Sequence, residues 1–533
     1  MNQSRSIVKQ ASILAIAGIL VRIIGVLYRS PLTHLIGDEG MGYYSSAYEI
    51  YTLILLVSSY SIPTAISKLL SEKLVLKQYN NVKKILQCAF IYIFVIGGGA
   101  ALVTFIIAPY IVPTNAVIAL RVLCPTIFLS GLLGVFRGYF QAHQKTVYTS
   151  VSQIIEQVFN AVISVFAAYL FIQPYLNVQG TALASHGAAG SSLGTGFGVL
   201  AGLIYMVLLF MRKSQHPVID EDADPYVDTY HTIFKMILSI VTPIIVATCI
   251  YNSVTTFEMY IYYGLKGTAI EQSTMWGLYL GKYSVLRNVP VALASAMSTA
   301  AIPAIAGSWS IQDRRQTREN VKSAVRVTML ILIPAAVGMS VLAFPIMGFI
   351  FPQAESLRIS TLMLTIGSPS IIFFGLSTLT NGILQAIGEV QKPLKNAAIA
   401  LVAHCVLVIA LLKFTSLDLY AIVIANGLYA VHVSYLNQKT LRQMVHFKQG
   451  LKKTFLLPFI ASLIMGLGVG LCYYGLFFIT RKVFIPLMIS IVLGIIIYFM
   501  IIFYFYSDNP EELSAIPYSN RMMSAFKKYI LRQ

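Results

Sequence analysis

The chain predicts an all-α integral membrane protein, and three observations carry that prediction. Its 533 residues are 57% hydrophobic and only 11% charged, whereas soluble domains carry about 25% charged residues. Mean hydropathy is +0.75, and apolar stretches of roughly 20 residues, each long enough to cross a bilayer as a helix, recur from end to end. Lys and Arg gather in alternate connections between those stretches, as they do in the cytoplasmic loops of multi-spanning proteins. No long polar region could form a separate soluble domain.

The spans fall at 11–30, 41–66, 86–109, 116–140, 149–172, 182–211, 236–263, 275–306, 325–350, 359–386, 394–413, 418–437, 454–479 and 484–506, giving 14 crossings. With a cytoplasmic N-terminus, roughly 27 of the 38 Lys and Arg lie in cytoplasmic segments and about 5 in outer ones. The first three outer connections carry none. Both termini are therefore expected in the cytoplasm, with the chain expected in the plasma membrane. Arg5 and Lys9 precede an apolar stretch, but Arg22 interrupts it and no small-residue cleavage site follows, so the first span is expected to stay in place.

The net charge of +18 is mostly this loop asymmetry. It needs no nucleic acid and favours contact with anionic lipids of the inner leaflet. Cys88, Cys124, Cys249, Cys405 and Cys472 are isolated, and the histidines show no paired spacing, so neither a metal site nor a disulfide framework is expected. The chain has no Walker A sequence and no serine nucleophile elbow. Nothing in it therefore points to an enzyme or a cofactor.

Two stretches repeat at an offset of about 240 residues, the arrangement of a duplicated transporter. Ser61-Ile62-Pro63-Thr64-Ala65-Ile66 parallels Ala301-Ile302-Pro303-Ala304-Ile305-Ala306. Arg137-Gly138-Tyr139-Phe140-Gln141-Ala142 parallels Asn381-Gly382-Ile383-Leu384-Gln385-Ala386. The expected organisation is a six-helix half at 1–211, a cytoplasmic linker at 212–235 and a second six-helix half at 236–437. Two accessory spans follow at 454–506, then a basic tail at 507–533 suited to the inner leaflet. The linker contains the acidic run Asp220-Glu221-Asp222-Ala223-Asp224, read either as a hinge or as a solvated connection.

Charges inside the spans are the chemical signal. Each costs on the order of 2.5–3.5 kcal/mol in hydrocarbon and is kept where it lines a wet cavity or meets a partner. Arg22 and Arg29 lie in the first span, Glu49 in the second, Glu258 in the seventh, and Lys282 and Arg287 in the eighth. Alternate crossing directions put them at comparable depth. Arg22 and Arg29 are seven apart and share a helix face. Tyr44, Tyr48 and Tyr51 form a stripe beside Glu49, and Tyr279, Tyr283 and Arg287 another. Tyrosine hydroxyls and arginine forks suit sugars and phosphates, and the surplus of positive charge favours an anion. Against that, Glu49 or Glu258 could simply pair with a neighbouring base and fix packing, and Arg29 could snorkel outward. Arg121 and Arg137 read as interfacial anchors, and Glu156 has no evident partner. The glycines from Gly187 to Gly202 read as close helix packing. Pro63, Pro243, Pro290, Pro303, Pro334 and Pro369 can bend helices.

Arginine in the first span, Leu286-Arg287-Asn288-Val289-Pro290 and Ala301-Ile302-Pro303 in the eighth, and the 14 crossings resemble the polysaccharide and lipid-linked oligosaccharide flippases of the MOP (MATE-like) superfamily. Gly40-Met41-Gly42-Tyr43-Tyr44, Tyr48-Glu49-Ile50-Tyr51 and Ile62-Pro63-Thr64-Ala65-Ile66-Ser67-Lys68 are similar to its SpoVB branch. The resemblance implies a V-shaped bundle working by alternating access, and in MurJ-type members lipid II as cargo. It points to Arg22, Arg29 and Arg287 as cavity residues, and to the last two spans as a groove for the lipid tail. The chain departs from the MurJ-type pattern in having Tyr44 where an acidic residue stands early in span 2, and in the spacing of Arg287 from its proline.

The expected function is a flippase moving an undecaprenyl-pyrophosphate-linked glycan such as lipid II to the outer leaflet, for peptidoglycan synthesis. Arg22, Arg29, Glu49, Tyr48, Lys282, Tyr283 and Arg287 are its expected substrate contacts, and Na+, H+ or the membrane potential its driving force. The alternatives are a cation-coupled multidrug exporter of the same superfamily, whose pockets centre on acidic residues, a membrane-embedded glycan polymerase, and a non-transporting scaffold for cell-wall or spore assembly.

Overall fold

The structure, a computed structural model, describes residues 2–178, 180–213 and 226–506. The acidic run at 220–224 and the basic tail from 507 lie outside them. The chain forms two compact units, Met1–Gly281 and Lys282–Gln533, and the described residues are helical with no strand.

The first unit holds α1 (Asn2–Ser58), α2 (Ile62–Val75), α3 (Tyr79–Tyr92), α4 (Gly98–Ile111), α5 (Val117–Ala142), α6 (Thr146–Ile172), α7 (Ala182–Lys213), α8 (Tyr230–Lys266) and α9 (Ile270–Gly277). A π-helical turn at Ile93–Gly97 joins α3 to α4, and another at Leu278–Tyr283 follows α9. The second unit holds α10 (Ser284–Ser310), α11 (Arg314–Val341), α12 (Ala343–Ile350), α13 (Ala354–Gly367), α14 (Ser370–Ala386), α15 (Gln391–Phe414), α16 (Leu419–Val445), α17 (Leu457–Thr480) and α18 (Phe484–Phe505).

At 57 residues, α1 as a straight rod would measure about 85 Å, nearly three times the thickness of a hydrocarbon core. It breaks at Gly37, whose φ of 71° and ψ of 175° are non-helical. That left-handed φ suits a residue without a Cβ. The break folds the chain back, because Tyr28 interacts through its side chain with Tyr44. Sixteen positions along an unbroken helix would separate them by about 24 Å. The element is thus a hairpin of two antiparallel arms.

Among the described residues, 12 helices are long and apolar enough to cross a membrane, or 13 if the pair α13–α14, bent by 50°, counts as one span. The sequence predicts 14. The difference arises at Ala17–Val75, a single 59-residue candidate that holds both of the first two expected spans on either side of Gly37. Pro369 lies in the break between α13 and α14, and Pro63 opens α2, where its missing N–H costs no hydrogen bond. Pro303 instead lies within α10, so the two repeated Ile-Pro stretches have different surroundings. The other repeated pair matches better. α5 ends at Ala142 and α14 at Ala386, each followed two residues later by a positive φ, at Gln144 and Gly388.

The units divide at residues 281 and 282, within the π turn, rather than in the expected linker at 212–235. The part of that linker which is described is anchored. Asp228 is buried against Lys73 at 2.6 Å, its backbone N–H donates to Asn81, and Lys84 donates to its carbonyl. Thr229 then caps α8 by accepting from the Thr232 N–H.

Helices in lipid gain little from hydrophobic contact and associate through close packing of small residues. A Cβ on Gly190, Gly194 or Gly198 of α7 would overlap α6 at Ala167, Ser164 or Glu156, so the glycine run is a packing seam. A tighter contact joins the second arm of α1 to α9. A Cβ on Gly42 would overlap the Ser273 carbonyl, and one on Gly277 the Asp38 carbonyl. In the second unit α17 and α18 pack on each other and on α11, where the Tyr498 hydroxyl donates to the Leu330 carbonyl at 2.8 Å. Their other faces expose large apolar residues such as Leu467 and Leu471, as a lipid-facing surface does.

Gly42→Val should destabilise the first unit by about 1–3 kcal/mol through overpacking. Gly18→Val, where a Cβ meets nothing within 4 Å, should leave stability unchanged; thermal unfolding of the two variants in the same detergent checks both.

Candidate substrate site

In the first unit, Arg29 sits on the first arm of α1, partly buried, and donates to the Leu280 carbonyl at 3.2 Å. Around it stand Tyr28, Tyr44 and Tyr48, all within side-chain interaction range. Tyr44 stacks on Tyr48 at 5.6 Å, and Tyr48 lies the same distance from Tyr51. The expected tyrosine stripe therefore exists, and Arg29 is built into it. Tyr28 was not among the expected site residues. Its place follows from the hairpin, since Tyr28 and Tyr44 lie almost equally far from Gly37.

Arg22, seven residues earlier, is exposed and interacts with Tyr60. Glu49 is half-buried, and its carboxylate is close enough to that of Glu258 for the two to repel. Glu258 is fully buried and accepts a hydrogen bond from the Tyr279 hydroxyl at 2.9 Å.

Arg137 and Glu156, read from sequence as an anchor and an acid without a partner, are each other's partner. The guanidinium meets the carboxylate at 2.7 Å and also donates to Ser152 at 2.9 Å. This correction has a simple cause: α5 and α6 form a hairpin, which lays the two helices side by side.

In the second unit, Lys282 is 1% exposed. Its ammonium donates to the Ser356 hydroxyl at 2.7 Å and stands 5.7 Å from the centre of the Phe351 ring. Arg287 lies over the rings of Tyr283 at 5.4 Å and Phe374 at 4.5 Å, a cation–π arrangement that fixes the guanidinium plane. Tyr283 is fully buried, its ring against Gly367, where a Cβ would overlap it. The second expected stripe is thus only partly continuous. Tyr283 and Arg287 stay together, but the π turn at Leu278–Tyr283 carries an extra residue per turn and shifts the helical phase. Tyr279 consequently turns to Glu258. No residue pattern announces such a turn, or Ser356 as the partner of Lys282.

The class follows from these features: long apolar helices, intramembrane charges held on tyrosines, and broken helices. This is a multi-pass membrane protein of transporter type. Residues 7–309 match the family described as Polysaccharide biosynthesis protein, and the chain belongs to that family. Residues 284–409 match the MatE family, and the chain is a transporter of the MOP superfamily, not an enzyme. Over 503 residues it is 25% identical to Lipid II flippase MurJ of Bacillus subtilis (strain 168), covering 90% of this chain and 91% of that one. It is 22% identical to Stage V sporulation protein B of the same organism, covering 87% and 88%. Among solved structures, Lipid II flippase MurJ in an inward closed conformation superimposes with a TM-score of 0.72 at 17% identity, over 93% of this chain and 99% of that one. An inward-facing multidrug resistance MATE family transporter gives 0.66 at 12% identity, over 81% and 98%. These likenesses show the fold.

Arg137→Ala and Glu156→Ala should each lower thermal stability, and the double variant should lose clearly less than their sum. A double-mutant cycle of unfolding free energies should return a coupling of about 0.5–3 kcal/mol.

Proposed function

We propose that this transporter is a flippase for an undecaprenyl-pyrophosphate-linked glycan, with lipid II as the favoured cargo, moving it from the inner to the outer leaflet of the plasma membrane by alternating access. The observation that carries the reading is the basic set held on aromatic groups, Arg29 among Tyr28, Tyr44 and Tyr48, and Arg287 over Tyr283 and Phe374. Guanidinium binds phosphate oxygens in a bidentate way and stacks on rings at the same time. Arg22, Arg29 and Arg287 would take the pyrophosphate during the cycle, with Lys282 as a further charge and Glu49, Tyr48 and Tyr283 serving sugar hydroxyls. Similarity to MurJ along nine-tenths of the chain supports the choice of cargo.

In this reading the two arms of α1 are separate crossings and α13–α14 is one, which gives 14 crossings with both termini cytoplasmic. Two six-helix halves rock, and α17 and α18 offer an apolar groove to the polyprenyl tail. Na+, H+ or the membrane potential drives the cycle. One observation favours the exporter as a second reading: the MatE match at 284–409. The acidic pair Glu49 and Glu258 would then be its cation site.

The test is a leaflet assay for lipid II in cells depleted of other flippases. Wild type should restore outer-leaflet lipid II. Arg287→Ala should cut the rate about 10–100-fold, as expected for loss of a charged hydrogen bond worth about 1.5–3 kcal/mol, and Arg287→Lys should recover only part of it. A well-expressed wild type that restores nothing would exclude lipid II as the cargo. Cation-dependent drug efflux by the same protein would then support the exporter.

A further inference from the structure

An open apolar groove of about 640 Å³ lies in the first unit between the first arm of α1 and α6. Ile24, Leu27, Tyr28 and Pro31 form one wall, and Val165 and Phe166 are on the other. Its volume is within the range of small-molecule sites, about 300–1,000 Å³. Several of its residues, Leu27 at 64% and Phe166 at 61%, are exposed where a membrane helix meets lipid. The groove differs from an ordinary lipid-facing surface in one respect. Tyr28, buried, is part of its wall and also contacts Arg29 and Tyr44. A single side chain therefore separates a hydrocarbon-lined groove from a guanidinium.

This juxtaposition fits a molecule with an anionic head and a long apolar tail. We propose that the groove between α1 and α6 seats the phosphate-proximal part of a polyprenyl chain while its phosphate engages Arg29. The inference rests on the flippase reading and deepens it, because it gives the tail a seat in the first unit in addition to α17 and α18. The groove runs from Ile24 toward Leu35, and an N-terminus in the cytoplasm puts that end toward the outer leaflet. The seat then serves the cargo on its outward side. Branched isoprene units suit it for the same reason that aromatic and branched side chains line it: both fill an irregular apolar space by dispersion contacts.

The experiment uses the full chain in nanodiscs of phosphatidylglycerol and phosphatidylethanolamine, with a diazirine-bearing polyprenyl diphosphate as probe, followed by mapping of adducts. Adducts are expected within 24–35 and 161–169. Unlabelled undecaprenyl diphosphate should compete about tenfold better than an equal excess of phosphatidylglycerol, and Val165→Trp, which fills the groove, should reduce labelling about tenfold. If Val165→Trp fails to fold, Ile24→Trp fills the opposite wall. Adducts confined to α17 and α18, equal competition by phosphatidylglycerol, or unchanged labelling in a folded groove-filled variant would each overturn the proposal and leave the flippase reading standing. No specific adduct anywhere in wild type would overturn both.

Discussion

The interior of a bilayer offers no water to a charge or a backbone dipole, so a charge held in these helices is stabilised by groups within the chain. That requirement explains more of the structure than any single hydrophobic contact. Glu156 meets Arg137, Glu258 accepts from Tyr279, Lys282 donates to Ser356, and Arg29 donates to the Leu280 carbonyl. Each partner lies on another helix, or across a break in the same one. Satisfying the charges therefore also fixes which helices are neighbours.

Close approach of helices is the second condition, since a charge–hydroxyl or charge–carbonyl bond spans about 3 Å. The glycines of α7 let it lie directly on α6, beside the stretch that carries Glu156. Gly42 and Gly277 bring the second arm of α1 onto α9, a few residues before Leu280 and Tyr279 supply their polar contacts. Small residues and intramembrane charges thus work together: the first set the distance at which the second are stabilised. The π turn at Leu278–Tyr283 belongs to the same economy, because it frees backbone direction where Tyr279, Leu280 and Lys282 each need a different neighbour.

The long apolar helices were legible from the sequence because hydrocarbon thickness imposes a length and composition on a crossing, although 14 were expected and 12 or 13 candidates are found among the described residues. So was the tyrosine stripe at Tyr44, Tyr48 and Tyr51, where an unbroken helix keeps a simple period. The stripe through Tyr279, Tyr283 and Arg287 was legible only in its second half, since a π turn changes the period without any marker in residue type. Two further contacts were available but unused. Tyr28 and Tyr44 flank Gly37, so complementary residues placed about that break would have been paired, and Arg137 and Glu156 are opposite charges on the two helices joined at Lys145. Ser356 and Phe351, which hold Lys282, are more than sixty residues from it, and no local pattern connects them.

The arginines separate by the kind of partner each one has. Arg137 is bound by a carboxylate, and its charge is largely cancelled where it stands. Arg29 is bound by a carbonyl and by tyrosines, and Arg287 is held in part by two ring faces. Neutral dipoles and quadrupoles orient a guanidinium and lower the cost of its burial while leaving its net charge intact. If the cargo is an anion taken up and later released, as the flippase reading has it, it calls for positive charges fixed in direction by such neutral groups, as Arg29 is. Within the flippase reading, that difference places Arg137 with the scaffold and makes Arg29 an arginine suited to a phosphate.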